Sequence, residues 1–189
     1  MKTKFLILIL FIFFGITMAY SQEFVREPSK TRYIKDIYQY VQEKISRNQY
    51  YVNEFRMNVG NLLWSNSKAF QSTQQYHYSF VGDDSPVLRL VIVVSKVAGK
   101  NYYSEYLYDN NTKLVYAFEK QNDSETYSYR EIHAYFEEDL CINLLVDKEI
   151  IDAKKGLGQH TLKVNSFQEI GKFYSERFKE DMQEITEKE

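Results

Sequence analysis

Between residues 75 and 147 the chain runs as six segments rich in valine, isoleucine, tyrosine and phenylalanine, separated by gaps of no more than five residues. The segments span 75–81, 87–97, 101–108, 112–120, 126–136 and 140–147, and every gap carries at least one glycine, asparagine, aspartate, serine or proline. Parallel strands need a crossover of about a dozen residues or more, which none of these gaps can hold. Consecutive segments must therefore pair antiparallel, as a meander. Within it, Val87 to Val94 is apolar at both parities apart from Arg89, the pattern of a strand covered on both faces.

Helical patterns flank the meander. From Pro28 onward, Ile34, Ile37, Val41, Ile45, Val52, Phe55 and Val59 recur mostly at steps of three, four or seven, with an interruption near Asn48-Gln49. This predicts an amphipathic helix over 30–58. Residues 60–73, with Gly60, Trp64 and a polar stretch, read as an irregular connection. Near the end, Ser166 and Glu169 have the spacing of a capping box, and Phe167, Ile170, Tyr174, Phe178, Met182 and Ile185 line one face of a predicted helix over 167–185. The expected architecture is α+β: an N-terminal helix, a sheet of about six antiparallel strands, and a C-terminal helix packing on the sheet.

The first 21 residues report destination. Lys2 and Lys4 precede an apolar run from Phe5 to Ile16, and Ala19 and Ser21 stand just before Gln22. This reads as a cleaved secretory signal peptide, so residues 22–189 are expected to form one exported α+β domain, periplasmic or extracellular. The run is shorter than the roughly 20 residues needed to cross a bilayer core, and no later segment approaches that length, so no transmembrane segment is expected after cleavage. Cys141 is the one cysteine, which excludes an internal disulfide and a lipid-modified cysteine at the mature N-terminus. Removing the leader takes two lysines and no acid from 24 basic and 26 acidic residues, leaving a net charge near −4. That balance offers no footprint for nucleic acid.

A faint duplication runs through the meander. Glu105-Tyr106-Leu107-Tyr108-Asp109 leads through a turn to Lys113-Leu114-Val115-Tyr116, and His133-Ala134-Tyr135-Phe136-Glu137 leads through a turn to Asp139-Leu140-Cys141-Ile142. Residues 101–147, together with a leader ending in Ser-Gln, resemble the Tyr-Tyr-Phe-Asp-x-Gly-Lys-Leu hairpin repeats of uncharacterised exported proteins of Bacteroidetes-type bacteria, although both copies lack the turn glycine. The resemblance implies a fold and a location, and no activity.

The chemistry-bearing residues argue against the common catalytic constellations. His77, His133 and His160 are scattered, and His133 and Glu137, four apart on a strand, stand about 13 Å apart along it. No zinc-ligand spacing, Gly-x-Ser-x-Gly elbow or phosphate loop occurs; Lys154-Lys155-Gly156-Leu157-Gly158 reads as a helix end and glycine turn. No cofactor is expected. Cys141 in an apolar run reads as a shielded thiol, and no orienting group joins it to His160. Acids at Asp83-Asp84, Asp123 and Glu137-Glu138-Asp139 read as turn residues, and no calcium loop pattern contains them. Asn110-Asn111-Thr112 and Asn122-Asp123-Ser124 match the N-glycosylation acceptor pattern in predicted turns.

Tyrosine is the unusual abundance, with 17 in the chain. Tyr102, Tyr106 and Tyr108 share one parity of their strand, and Tyr116 and Phe118 are expected to extend that aromatic set onto the next. Such a set either packs beneath a helix or forms a platform for an envelope protein or a glycan, and part of the 101–120 hairpin is expected to stay exposed. The reading is of an exported, non-enzymatic binding or interaction domain of the cell envelope. Its competitor is a small secreted hydrolase with an unconventional carboxylate pair.

Overall fold

A computed structural model of the protein describes residues 29–60, 62, 70–82, 85–123, 128–153 and 156–186. The expected signal peptide, Asp83-Asp84, Lys154-Lys155 and Ser124 lie outside the described residues. Helix α1 (Ser29–Ser46) is followed by strands β1 (Tyr51–Met57), β2 (Phe70–Val81), β3 (Ser85–Val97), β4 (Lys100–Tyr108), β5 (Leu114–Asp123), β6 (Ser128–Glu137), β7 (Leu140–Val146) and β8 (Glu149–Ile151). A 3₁₀ turn (Gly158–His160) leads into the 26-residue helix α2 (Thr161–Thr186). The strands form one antiparallel sheet in the order β1 to β8, each paired with its neighbour in sequence. The α+β class and the meander are as expected, with eight strands where the sequence suggested about six.

The extra strand β1 replaces the second half of the expected first helix. Val52, Phe55 and Val59 continue the spacing of the α1 stripe, but the helix stops at Ser46. Asn48 takes a left-handed φ of 54°, its N–H bonds the Ile45 carbonyl at 2.9 Å, and the N–H of Gln49 reaches back to the Lys44 carbonyl at 2.9 Å. This pair of bonds is a Schellman ending, and it satisfies carbonyls that continued helix would otherwise have used. The expected capping box is corrected too: α2 already begins at Thr161, so Ser166 and Glu169 lie inside it.

The two helices take opposite faces of the sheet. Against α2 pack Tyr76, Leu88, Val91, Tyr106, Tyr108, Ala117, Phe136 and Leu144, meeting Val164, Phe167, Tyr174, Phe178 and Met182 of the helix. Against α1 pack Leu90, Leu107, Tyr116 and Tyr135, meeting Ile34 and Val41. Helix α2 comes so close to β5 that a Cβ on Gly171 would lie 2.8 Å from Leu114 Cδ2. Glycine is what allows that approach.

Three hairpins turn through two residues that both have positive φ: Ala98-Gly99, Glu138-Asp139 and Asp147-Lys148. Such turns match the right-handed twist of the flanking strands. In the duplicated β6–β7 hairpin, Glu138 and Asp139 supply that backbone themselves, which is how this copy does without glycine.

Irregularities align across the sheet. The row His77, Leu90, Leu107, Tyr116, Tyr135, Asn143 crosses six strands in register. Immediately beyond it the partners become Tyr78 with Leu88, Tyr108 with Leu114, and Phe136 with Cys141, leaving Arg89, Val115 and Ile142 as extra residues in β3, β5 and β7. Val115 and Ile142 join the α1-side core. The duplicated hairpins share this bulge, with Leu114 equivalent to Cys141 rather than to Leu140. Bulges of this kind bend a strand and re-aim a side chain.

Candidate functional site

The five aromatic residues expected to form one set are divided by the register. Tyr106 lies opposite Ala117, so Tyr106 and Tyr108 face α2 while Tyr116 and Phe118 face α1. Tyr106, Tyr108 and Tyr116 are only 3%, 1% and 5% exposed. The Tyr108 hydroxyl donates to the Gly171 carbonyl at 2.8 Å, and Tyr106 packs edge-on against Tyr174. Tyr102 is half-buried beside a small cavity of about 290 Å³ that His160 and Arg130 also line. Of the two arrangements open to Tyr102, Tyr106, Tyr108, Tyr116 and Phe118, packing beneath a helix is the one taken by Tyr106, Tyr108 and Tyr116, because both faces of the sheet are covered; the expectation that all five share one face is corrected by the register. The exposed residues of the hairpin are polar: Asn110, Asn111 and Lys113 at its tip, and Asn101 and Lys120 at its open end.

Beneath α1 the core contains a polar inset. Glu105 of β4, 3% exposed, accepts hydrogen bonds from the hydroxyls of Tyr38 (2.6 Å) and Tyr103 and from the Gln42 amide (3.3 Å). A buried carboxylate needs such donors. Phe118 and His133 stand in the same row as Glu105; the His133 ring packs on Phe118 at 4.7 Å, and its Nδ1 lies 2.8 Å from Tyr116 Oη of another row on that face. Burial first, then the bond to Glu105, raises the Tyr38 and Tyr103 pKa values far above the ordinary tyrosine range. Burial lowers that of His133. These groups are held in their neutral forms, so the inset ties α1 to the sheet and offers no activated hydroxyl.

Beside this inset, on the other flank of α1, a groove of about 680 Å³ runs between the helix and the bulged end of the sheet. That volume is within the range of small-ligand sites. Its helix side is built from Lys30, Tyr33, Ile37, Tyr40 and Lys44, at the spacing that keeps residues on one flank. Ile34, Val41 and the bulge residue Val115 form an apolar floor. Tyr33 and Tyr40 are 56% and 55% exposed, with Lys30 Nζ 5.6 Å and Lys44 Nζ 5.4 Å from the centres of their rings. Tyr50 and Arg89 close the far wall. Burial raises the Tyr50 pKa, partly countered by the Arg89 charge.

A second cavity of about 610 Å³ lies along α2, but Lys172 and Lys179 there share the walls with Asp139, Glu169 and Glu176, and Lys172 pairs with Glu176 at 3.7 Å. Its charges are mutually compensated. The α1 groove carries cations with far less compensation and is the better candidate.

The other residues considered from the sequence stay apart. Glu137 pairs with Lys30 at 3.1 Å, away from His133's partner Tyr116. The Cys141 thiol donates to the Asn143 carbonyl at 3.4 Å, and burial pushes its pKa up to about 11. Among the described residues no three His, Cys, Asp or Glu side chains are grouped to hold a metal ion. No described helix is long and apolar enough to cross a membrane. The groove residues on α1 look, in the sequence, like the solvent face of a helix; Arg89 did signal itself, as the one charge in the apolar run Val87 to Val94.

No protein-family model matches the chain. No curated protein and no solved structure is significantly similar to it.

Proposed function

We propose that this chain is an exported, non-enzymatic binding domain of the cell envelope, and that the groove along α1 is its binding surface. One observation carries the reading: a concave site of ligand size has two exposed tyrosine rings, an apolar floor and flanking cations. Such a mixture suits recognition, since tyrosines bring large contact area at low conformational cost. The buried tyrosines, Cys141 and His133 are all biased toward their neutral forms, which supports binding over nucleophilic chemistry. Export rests on the leader sequence.

The test is retention of isolated envelope polysaccharide and envelope protein fractions by wild-type protein and by Tyr33→Ala/Tyr40→Ala. The double variant should keep its Tm, because both side chains are exposed, and lose retention. Undiminished retention by a folded variant sinks the groove, and turnover of a defined substrate sinks the non-enzymatic reading.

A further inference from the structure

Arg89 is an anomaly that the fold explains only halfway. It is the one charge in Val87 to Val94, and it is the extra residue of the β2–β3 bulge, standing between Leu88, which packs toward α2, and Leu90, which packs toward α1. The bulge delivers its guanidinium to the groove wall. There its Nε–H donates to Ser79 Oγ at 3.0 Å and Nη1 donates to Asn110 Oδ1. These two bonds fix the plane of the fork and leave further N–H donors unengaged. Among the described residues no carboxylate pairs with Arg89. The acid in the groove lining, Asp109, has its Oδ1 engaged by the turn, accepting from the N–H groups of Asn111 (2.8 Å) and Lys113 (2.9 Å). Lys44 is likewise in no ion pair among the described residues; Lys30 is held by Glu137.

Resting on the groove reading, we propose that the groove takes an acidic oligosaccharide, a chain of sugars carrying carboxylates, with Arg89 as the carboxylate anchor. Three observations choose this class. A planar guanidinium with its orientation already fixed suits a carboxylate, which it can bind through two parallel bonds. The distance from Lys30 to Lys44 along the helix is about 21 Å, so the cations are spread along a line and suit a chain with repeated charges. Between them lie ring faces and amides, Tyr33, Tyr40, Gln49 and Asn110, which match the C–H faces and hydroxyls of sugars. An extended acidic peptide could add a strand beside Ser79, where β2 runs past the end of β1, but it brings no flat C–H faces for the exposed rings of Tyr33 and Tyr40.

The experiment titrates the protein with tetragalacturonic acid, with its fully methyl-esterified form, and with tetraglutamate, reading affinity by calorimetry and location by backbone amide shifts. The acid should shift groove amides and bind at least about tenfold more tightly than the ester, with an affinity that falls as salt rises. Arg89→Gln should weaken the acid about tenfold and leave the ester unchanged; Arg89→Lys should restore only part, because it keeps the charge and loses the fork. Lys44→Gln, on the helix, should cost a few-fold and serves if the strand variant does not fold. Equal affinity for acid and ester with groove shifts overturns the acidic inference and leaves the groove standing. Tighter binding of tetraglutamate overturns it in favour of a peptide. Absence of groove shifts with both sugars overturns it outright, and retention of envelope fractions untouched by Tyr33→Ala/Tyr40→Ala would remove the groove as well.

Discussion

The two faces of the sheet are covered by one helix each, yet they are held in different ways. On the α2 side, aromatic and aliphatic side chains interlock along a 26-residue helix, with few polar groups among them. On the α1 side an 18-residue helix covers a smaller apolar patch, and a buried carboxylate, its hydroxyl donors and two histidines share the interior with it. The cavity beside α2 has its charges mutually compensated, whereas a helix fixed at a few polar points stands off the sheet along its other flank and leaves cations there with less compensation. The contrast assigns stability to one face and recognition to the other.

The sharpest way to break that division is to remove a fully buried ring from the α2 side. Phe167→Ala should lower stability by about 3–5 kcal/mol in urea denaturation, as large-to-small core changes do. A loss no greater than that of an exposed tyrosine substitution on α1 would contradict the assignment. Next in size is Gly171→Ala, whose Cβ would press on Leu114; overpacking of this kind costs about 1–3 kcal/mol. Adding Leu114→Ala should recover part of what the glycine substitution loses, leaving the double variant more stable than additivity predicts.

On the other face, Glu105→Gln keeps the shape but weakens the charge-assisted bonds to Tyr38 and Tyr103, and should cost about 1 kcal/mol. Tyr38→Phe in that background should add little if the two groups act as a unit, and a double-mutant cycle measures the coupling. Acid then separates the faces without mutation. His77, 6% exposed with neither ring nitrogen partnered among the described residues, and His133 both belong to the α1 side, and burial lowers both pKa values. Their contribution is present above the unfolded histidine pKa of about 6.5 and is lost as pH falls through the lower folded values. Between pH 7 and 5, hydrogen-exchange protection factors, taken relative to the intrinsic rate at each pH, should fall in α1 before α2, and His77→Leu should flatten that response. A uniform fall would erase the distinction. The smallest expected effect is at Cys141: native alkylation at neutral pH should be slow, since burial raises the thiol pKa to about 11. Cys141→Ser should cost no more than about 1 kcal/mol, because the hydroxyl can keep the bond to the Asn143 carbonyl.

What the sequence made legible follows from which signals are local. Strand segments and their antiparallel order were readable because β-rich runs and short gaps are properties of neighbouring residues. The interruption near Asn48-Gln49 was readable too, and the left-handed Asn48 sits there, but Val52 and Phe55 keep helical spacing, so nothing local showed that the chain resumes as strand β1. The capping box at Ser166 failed for a related reason: Val164 extends the apolar stripe one turn earlier, so the helix starts before the signal. Tyrosine orientation lay beyond reach because it depends on register across β4 and β5, and no count along one strand fixes that Tyr106 meets Ala117. The groove depends on a bulge, a non-local feature, although Arg89 marked the place by its charge.

The sequential order of the eight strands has a kinetic consequence. Every ladder joins segments adjacent in the chain, and all but the β1–β2 pair close loops of no more than five residues, so the entropy lost in forming the sheet is incurred in small instalments. Proteins dominated by such near-neighbour contacts fold quickly for their size. The pairings of large sequence separation join the chain's two ends to the sheet, where Lys30 reaches Glu137 across 107 positions and Asn53 approaches Met182 across 129. Docking of the helices is therefore the step expected to limit the rate, with the meander assembled before either face is sealed.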